Sequence, residues 1–76
     1  MSVYPNPSDG FITIELFNAA PQRIEIVDIL GRQIWLSNME VAKMEVNLSR
    51  LDNGVYVLRA IFEGNQVRTA KFTVQK

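Results

Sequence analysis

The chain contains no cysteine and no histidine. The first absence excludes a disulfide framework, a zinc–thiolate site and a thiol nucleophile. The second removes the usual general base, the usual proton shuttle and the commonest metal ligand. Excess charge is missing as well: eight Lys+Arg balance eight Asp+Glu. No net basic charge draws the chain to nucleic acid or to an anionic membrane. No apolar run approaches the roughly 18–20 residues of a membrane span, and no signal-peptide pattern is present. Helical periodicity longer than a turn is absent too. These absences point away from an enzyme without naming an alternative.

What is present is a β-rich globular composition. Apolar residues make up 47% and charged residues 21%, which suits a packed domain and not a disordered segment. With 76 residues, this is one domain with a small core. A core of that size is worth only about 3–5 kcal/mol net. Eight valines and seven isoleucines against six leucines favour strands.

Alternation locates the strands. Ile12, Ile14 and Leu16 share one face while Thr13 and Glu15 share the other. Ile24 and Ile26 point inward between charged Arg23 and Glu25. Ala42, Met44, Val46 and Leu48 alternate with Lys43, Glu45 and Asn47. The segment from Val55 to Phe62 is apolar on both faces except at Arg59, the pattern of a central strand. Ile34, Trp35 and Leu36 stand in a row, so one of them must face outward.

Turn residues fill the gaps. Pro5-Asn6-Pro7-Ser8-Asp9-Gly10 suits neither helix nor central strand. Asp28 and Gly31 bracket a tight turn, and Asp52-Asn53-Gly54 leads into the central strand. Gly64-Asn65 has the composition of a two-residue hairpin loop. A short helical or 3-10 turn fits Asn47 to Leu51. The spacing predicts seven strands, at about 2–4, 10–17, 22–29, 32–37, 41–48, 54–63 and 66–75, in a sandwich or barrel. Tyr56, following Leu51 and Gly54, is placed like the tyrosine of a tyrosine corner, whose hydroxyl bonds to upstream backbone.

Candidate chemistry is sparse. A serine nucleophile needs a base, and only Ser–Lys pairing remains. Ser49 neighbours Arg50, while Lys43 and Lys71 occupy outward strand positions. Asp9, Asp28 and Asp52 lie in turns beside glycines, where aspartate caps backbone donors. No run of alternating acids collects oxygen ligands, so neither a metal nor a cofactor is expected. Asn47-Leu48-Ser49 matches a glycosylation acceptor but is short enough to arise by chance. Trp35, Phe11 and Phe17 are the aromatics available for exposure, and Phe62 and Phe72 fit core positions. The segment from Val67 to Lys76 carries Arg68, Lys71 and Lys76 and no acid. Such a strand is either an edge guarded by basic residues or a surface shown to a partner.

Five segments in order resemble the C-terminal sorting domain of proteins exported by the type IX secretion system of Bacteroidetes-type bacteria. They are Val3-Tyr4-Pro5-Asn6-Pro7 with Gly10; Ile24-Glu25-Ile26-Val27-Asp28 with Gly31-Arg32; Asn47-Leu48-Ser49 with Leu51; Gly54-Val55-Tyr56-Val57-Leu58; and Lys71-Phe72-Thr73-Val74-Gln75-Lys76. Together they span nearly the whole chain. Val27 departs from the tyrosine often found there.

The resemblance implies a seven-stranded immunoglobulin-like Greek-key sandwich. It implies an address at the end of a larger cargo protein, read by outer-membrane translocation machinery. The cargo would cross the periplasm in transit to the cell surface or medium. A surface sortase would then remove the domain upstream of Tyr4 and in many cargoes attach the cargo to an anionic lipopolysaccharide. Met1 would not be the natural start, because cargo and linker should precede it. On this reading Arg68, Lys71, Phe72, Val74 and Lys76 carry sorting recognition by strand addition. Lys71 and Lys76 would supply charge and register, and Phe72 and Val74 would hold the strand on the core. Tyr4, Pro5, Asn6, Pro7, Gly10, Gly31, Leu51, Gly54 and Tyr56 would make the fold. An edge-paired or swapped homodimer is also compatible with free sheet edges. The rival reading is an immunoglobulin- or fibronectin-like accessory or carbohydrate-binding spacer of a secreted hydrolase, which would show Trp35 coplanar with a second exposed aromatic.

Overall fold

Each alternating segment becomes a strand in the computed structural model, which describes residues 1–16, 21–38 and 42–76. The strands are β1 (Ser2–Tyr4), β2 (Phe11–Glu15), β3 (Arg23–Asp28), β4 (Gln33–Ser37), β5 (Lys43–Asn47), β6 (Gly54–Ile61) and β7 (Val67–Val74). The expected strand ends at Phe17 and Val41 lie outside the described residues.

The strands form two antiparallel sheets, ordered β1-β2-β5 and β4-β3-β6-β7. The chain steps over the β3–β4 hairpin to pair β5 with β2, then returns to pair β6 with β3. This crossing makes a Greek-key sandwich of the immunoglobulin-like kind. The three-stranded sheet contributes Ile12, Ile14 and Val46 to the core. The four-stranded sheet contributes Ile24, Ile26, Leu58, Ala60, Phe72 and Val74. Burying each large side chain among these stabilises the fold by about 1.5–3 kcal/mol before chain entropy is counted. As its doubly apolar pattern implies, β6 is central, between β3 and β7.

Several details differ from the sequence reading. Ile34 and Leu36 both face outward, and Trp35 alone of the three packs against the core. Alternation sends Ile34 and Leu36 to one face and Trp35 to the other: Leu36 lies opposite Glu25 and Trp35 opposite inward Ile26, while a bulge that pairs Val27 with Gln33 leaves Ile34 without an opposite residue. Ala42 is exposed, just before β5 begins. Glu25 points to the outer face yet is buried, because the Nη1 of Arg59, its cross-strand partner, covers it at 2.8 Å. The β6–β7 loop is one residue longer than expected. Ile61 pairs with Val67, and the Phe62 N–H donates to the Gln66 carbonyl at 2.7 Å. That register leaves a three-residue 3-10 turn, Glu63–Asn65, with Gly64 and Asn65 at positive φ.

Candidate functional site

The last strand divides its residues between two faces. Phe72 and Val74 point inward and are fully buried. The Phe72 ring stacks on that of Tyr56, with centroids 5.9 Å apart and planes at 27°. Arg68 has the same inward parity but lies beyond the core, where its guanidinium covers the Phe62 ring at 5.2 Å. Val67, Thr69 and Lys71 are exposed along the outer face. The structure therefore does not gather the five proposed recognition residues in one patch: two are core, and Arg68 and Lys71 stand on opposite faces.

The sixth to eighth residues cover part of the edge of β7. The Thr73 N–H donates to Asn6 Oδ1 at 3.0 Å, and the Thr73 carbonyl accepts from the Ser8 N–H at 2.7 Å. The Gln75 N–H donates to the Ser8 carbonyl at 2.7 Å. Ser8 thus acts as a short parallel neighbour of β7 at Val74. Its buried hydroxyl donates to the Phe11 carbonyl at 2.6 Å and accepts from the Gly10 N–H at 3.2 Å. Gly10 has a φ of 136°, a conformation a side chain resists, which lets the chain turn from this strap into β2. The peptide bonds before Pro5 and Pro7 are both cis. Tyr4, just before the strap, donates its hydroxyl to Glu15 Oε1 at 2.6 Å. That bond, with burial and the nearby Glu15 and Glu45 charges, raises the Tyr4 pKa above its ordinary value.

Backbone direction alternates along a strand, so the outward groups of Thr73 and Gln75 fix those of their odd-numbered neighbours. The N–H and C=O groups of Val67, Thr69 and Lys71 point away from β6, beyond the reach of the strap. Among the described residues, no backbone partner meets the first half of β7 on this side.

The remaining motif residues build one pole of the sandwich. Asp28 Oδ1 accepts from the N–H groups of Leu30 and Arg32, both at 2.9 Å, and Oδ2 meets Arg32 Nε at 2.7 Å. The Arg32 N–H first, then the guanidinium and the Leu30 N–H, hold the Asp28 carboxyl below the ordinary carboxylate value. Gly31, at φ 81°, supplies the left-handed residue this turn requires. On the facing turn, the Leu51 N–H donates to the Leu48 carbonyl and the Ser49 N–H to Asn47 Oδ1, both at 2.9 Å. The Tyr56 hydroxyl donates to the Asp52 carbonyl at 2.7 Å, which is the expected tyrosine corner. Burial chiefly, with the charges of Asp52 and Asp28, raises the Tyr56 pKa. The Lys76 ammonium donates to the carbonyls of Ser49 and Leu51, and the Lys76 N–H to Asn53 Oδ1 at 3.0 Å.

Register brings these pieces together. Val74 pairs with Gly54 and bridges Ser8; Asp28 pairs with Tyr56; the Leu48 N–H donates to the Gly10 carbonyl at 2.7 Å. The opposite pole holds Ser2 beside Glu15, and Ile61 beside Arg23 and Val67. Between the 28–32 and 50–56 turns lies an open groove of about 460 Å³, lined among others by Leu30, Ile34, Arg50, Leu51 and Tyr56. A smaller hollow of about 200 Å³ continues it past Ile34, Arg50 and Leu51 to Trp35.

The sequence reading missed the prominence of Ile29 and Leu30, which are 76% and 73% exposed at the tip of the Asp28 turn. The signal was there: two large apolar residues sit next to each other between an aspartate and a glycine. It also missed the clasp made by Asn6 and Ser8, which needs a partner 67 positions away in sequence.

Among the described residues, no three acidic side chains converge on a point that could hold a metal. No helix of the described residues is long and apolar enough to cross a membrane. Trp35 and Phe11 lie on different sheets and cannot form one sugar-stacking platform. Phe17 lies outside the described residues. Tyr4 and Phe11 do share the outer face of the three-stranded sheet, with the Tyr4 hydroxyl turned to Glu15.

Two comparisons bear on this arrangement. The chain is 30% identical over 76 residues to an ulvan lyase, NLR42, of Nonlabens ulvanivorans. That similarity covers 97% of this chain and 14% of the lyase, so the chain spans about a seventh of the relative's length. The family described as the secretion system C-terminal sorting domain matches residues 2–75. Five motif segments in a seven-stranded sandwich, with Gly10, Asp28, Leu51, Gly54 and Lys76 drawn to one pole, and a family match from one end to the other, lead to one conclusion: the chain belongs to the family of secretion system C-terminal sorting domains.

Proposed function

We propose that this domain is read in its folded state by the outer-membrane machinery of the type IX system, which then passes the attached protein to the cell surface or medium. The coarse role follows from the family: a non-catalytic sorting signal that directs a larger protein toward export. Reading by the outer-membrane machinery, passage through the periplasm and removal by a surface sortase upstream of Tyr4 are the finer parts of the proposal. The observation that carries it is the family match over residues 2–75.

The fold supports reading of a folded object. Phe72 and Val74 are core residues, so the last strand is not available as a loose peptide while the domain stays folded. Strand addition fits the first half of β7, where the outward backbone groups of Val67, Thr69 and Lys71 have no partner among the described residues and Arg68 and Lys71 supply basic side chains.

The test is export of a reporter. A signal peptide, a monomeric fluorescent protein and residues 1–76 are fused and expressed in a bacterium with the type IX system and in a strain lacking it. The proposal expects surface or medium fluorescence in the competent strain alone. Reporter retained in the periplasm of both strains, with the domain folded, would overturn it and favour the accessory module. Deleting 67–76 is a poor probe of recognition, because it empties the core. Thr69→Pro is sharper. It removes one outward donor while leaving the β6 ladder intact, since edge positions tolerate proline. Strand addition at β7 predicts lost export from a folded Thr69→Pro domain; full export would remove that part of the proposal.

A further inference from the structure

The pole that gathers the motif residues also presents the most exposed large apolar side chains of the described residues, Ile29 and Leu30. They do not sit on a loose loop. Asp28 accepts two backbone N–H groups and the Arg32 side chain, and the Gly31 N–H donates to the Asp28 carbonyl at 3.0 Å. The turn is therefore held in shape before any partner arrives, which lowers the entropy cost of binding. Leaving two large aliphatic side chains in water on such a turn contributes nothing to the fold.

Beside this knob runs the groove lined by Leu30, Ile34, Arg50, Leu51 and Asp52. Arg50 lines both the groove and the smaller hollow, is exposed, and makes no salt bridge among the described residues. Arg32, by contrast, is paired with Asp28, and Arg59 with Glu25. Asp52, on the same lining, is likewise exposed and makes no salt bridge among the described residues, so the groove joins an apolar floor to two unpaired charges of opposite sign. Its complement is a large apolar side chain flanked by a carboxylate for Arg50 and a cation for Asp52.

We infer that the Ile29-Leu30 knob and the groove beneath it form a docking site for a protein receptor that offers an apolar socket for the knob and an Asp or Glu to Arg50. This rests on the sorting reading above, and it supplies a second contact site apart from the edge of β7. The site is unobstructed in an exported fusion. Ser2 pairs with Glu15 at the opposite pole, so a protein preceding Met1 leaves from the far end. A protein suits this groove better than a lipid surface: an anionic bilayer calls for a cluster of cations, whereas the lining carries as many carboxylates, Asp28 and Asp52, as guanidiniums, Arg32 and Arg50.

The experiment uses the reporter fusion with three substitutions: the pair Ile29→Ser and Leu30→Ser, Arg50→Glu, and Arg50→Lys. Both apolar residues and Arg50 are exposed, so thermal melts of the purified domains should match the parent. The inference expects surface export to fall about tenfold or more for the serine pair and for Arg50→Glu, as for residues central to an interface. Arg50→Lys should retain most export. Unchanged export in the serine pair would overturn the inference while the parent fusion, still exported, leaves the sorting reading intact. Two other occupants are checked on the same proteins. A parent dimer by sedimentation that the serine pair abolishes would assign the knob to a second copy. Binding to phosphatidylethanolamine–phosphatidylglycerol vesicles lost in the serine pair would assign it to a membrane. Either result overturns the receptor site.

Discussion

Removing the hydroxyl of Tyr56 tests the tyrosine corner without disturbing the core. Tyr56→Phe keeps the ring stacked on Phe72 and deletes only the 2.7 Å bond to the Asp52 carbonyl. A hydrogen bond of this kind contributes about 1 kcal/mol net. A chain this small has about 3–5 kcal/mol in total. The variant therefore stays folded at room temperature, but its melting temperature drops by about 4–8 °C. Tyr56→Ala would instead remove a buried ring at a cost of about 3–5 kcal/mol, the whole of the stability, and should not fold. The corner also makes an alkaline signature. The folded-state pKa of Tyr56 is raised, so the stability it confers is full below the ordinary tyrosine value and is lost as pH rises through the folded one. Thermal melts by circular dichroism from neutral pH to above about pH 10 should show a steeper alkaline decline in the parent than in Tyr56→Phe. Tyr4, raised in the same direction, contributes equally to both proteins and cancels in the comparison. A melting temperature unchanged within about 1 °C, or a Phe variant that fails to fold, would refute this account of the corner.

Further outcomes follow from the two turns and the strap. Asp28 is held below its ordinary pKa, so its contribution is complete above about pH 4 and is lost as pH falls through the lowered value. Melts between neutral and strongly acid pH should show a shallower acid decline in Asp28→Asn, which keeps an acceptor for the Leu30 and Arg32 N–H groups but not the charge. Lys76→Met removes the donor to the Ser49 and Leu51 carbonyls, and faster amide exchange at Leu51, with the core amides of Leu58 unaffected, is the expected result. Asn6→Ala uncovers the Thr73 N–H, whose exchange should speed up about fivefold for the loss of one bond of about 1 kcal/mol. Unchanged exchange at Thr73 would mean that the strap is held by Ser8 alone.

The strands were legible because alternation is local. Ile12, Ile14, Val46 and Leu58 announce their faces within a few residues, and the doubly apolar Val55 to Phe62 announces a central position. The tyrosine corner was legible for the same reason, since donor and acceptor lie four residues apart. What escaped depends on distant pairing. The bulge at Ile34 is set by the register of β4 on β3, and the burial of Glu25 by an arginine on β6. The clasp of Asn6 and Ser8 on β7 joins the two ends of the chain, and nothing in Pro5-Asn6-Pro7-Ser8 says where its donors and acceptors will go. A strand sends neighbours to opposite faces, so the pattern of the last strand already separates Phe72 and Val74, on the core, from Lys71 outside. It does not say that Arg68, of the same parity as Phe72, lies beyond the core over the Phe62 ring.

That division has a consequence for where an address can be written on so small a domain. Asn6, Ser8, Gly10, Asp28, Gly31, Asn53 and Tyr56 all spend their functional groups or backbone freedom on closing one pole of the sandwich. Groups so engaged cannot also bind a receptor without loosening the fold, and about 3–5 kcal/mol leaves little to loosen. The motif that marks the family therefore sets a scaffold, and recognition must fall to what the scaffold leaves uncovered. Two such features of the four-stranded sheet are the Ile29-Leu30 knob with Arg50 at the closed pole, and the outward backbone of Val67, Thr69 and Lys71. They occupy different ends of the four-stranded sheet, so a receptor touching both would have to span its length, whereas two successive receptors could each read one. Export of the Thr69→Pro fusion and of the Ile29→Ser, Leu30→Ser fusion, measured side by side, separates these cases. A single spanning receptor makes the two losses of one kind, with both cargoes held in the periplasm. Successive readers would leave the two cargoes stalled at different stages of passage.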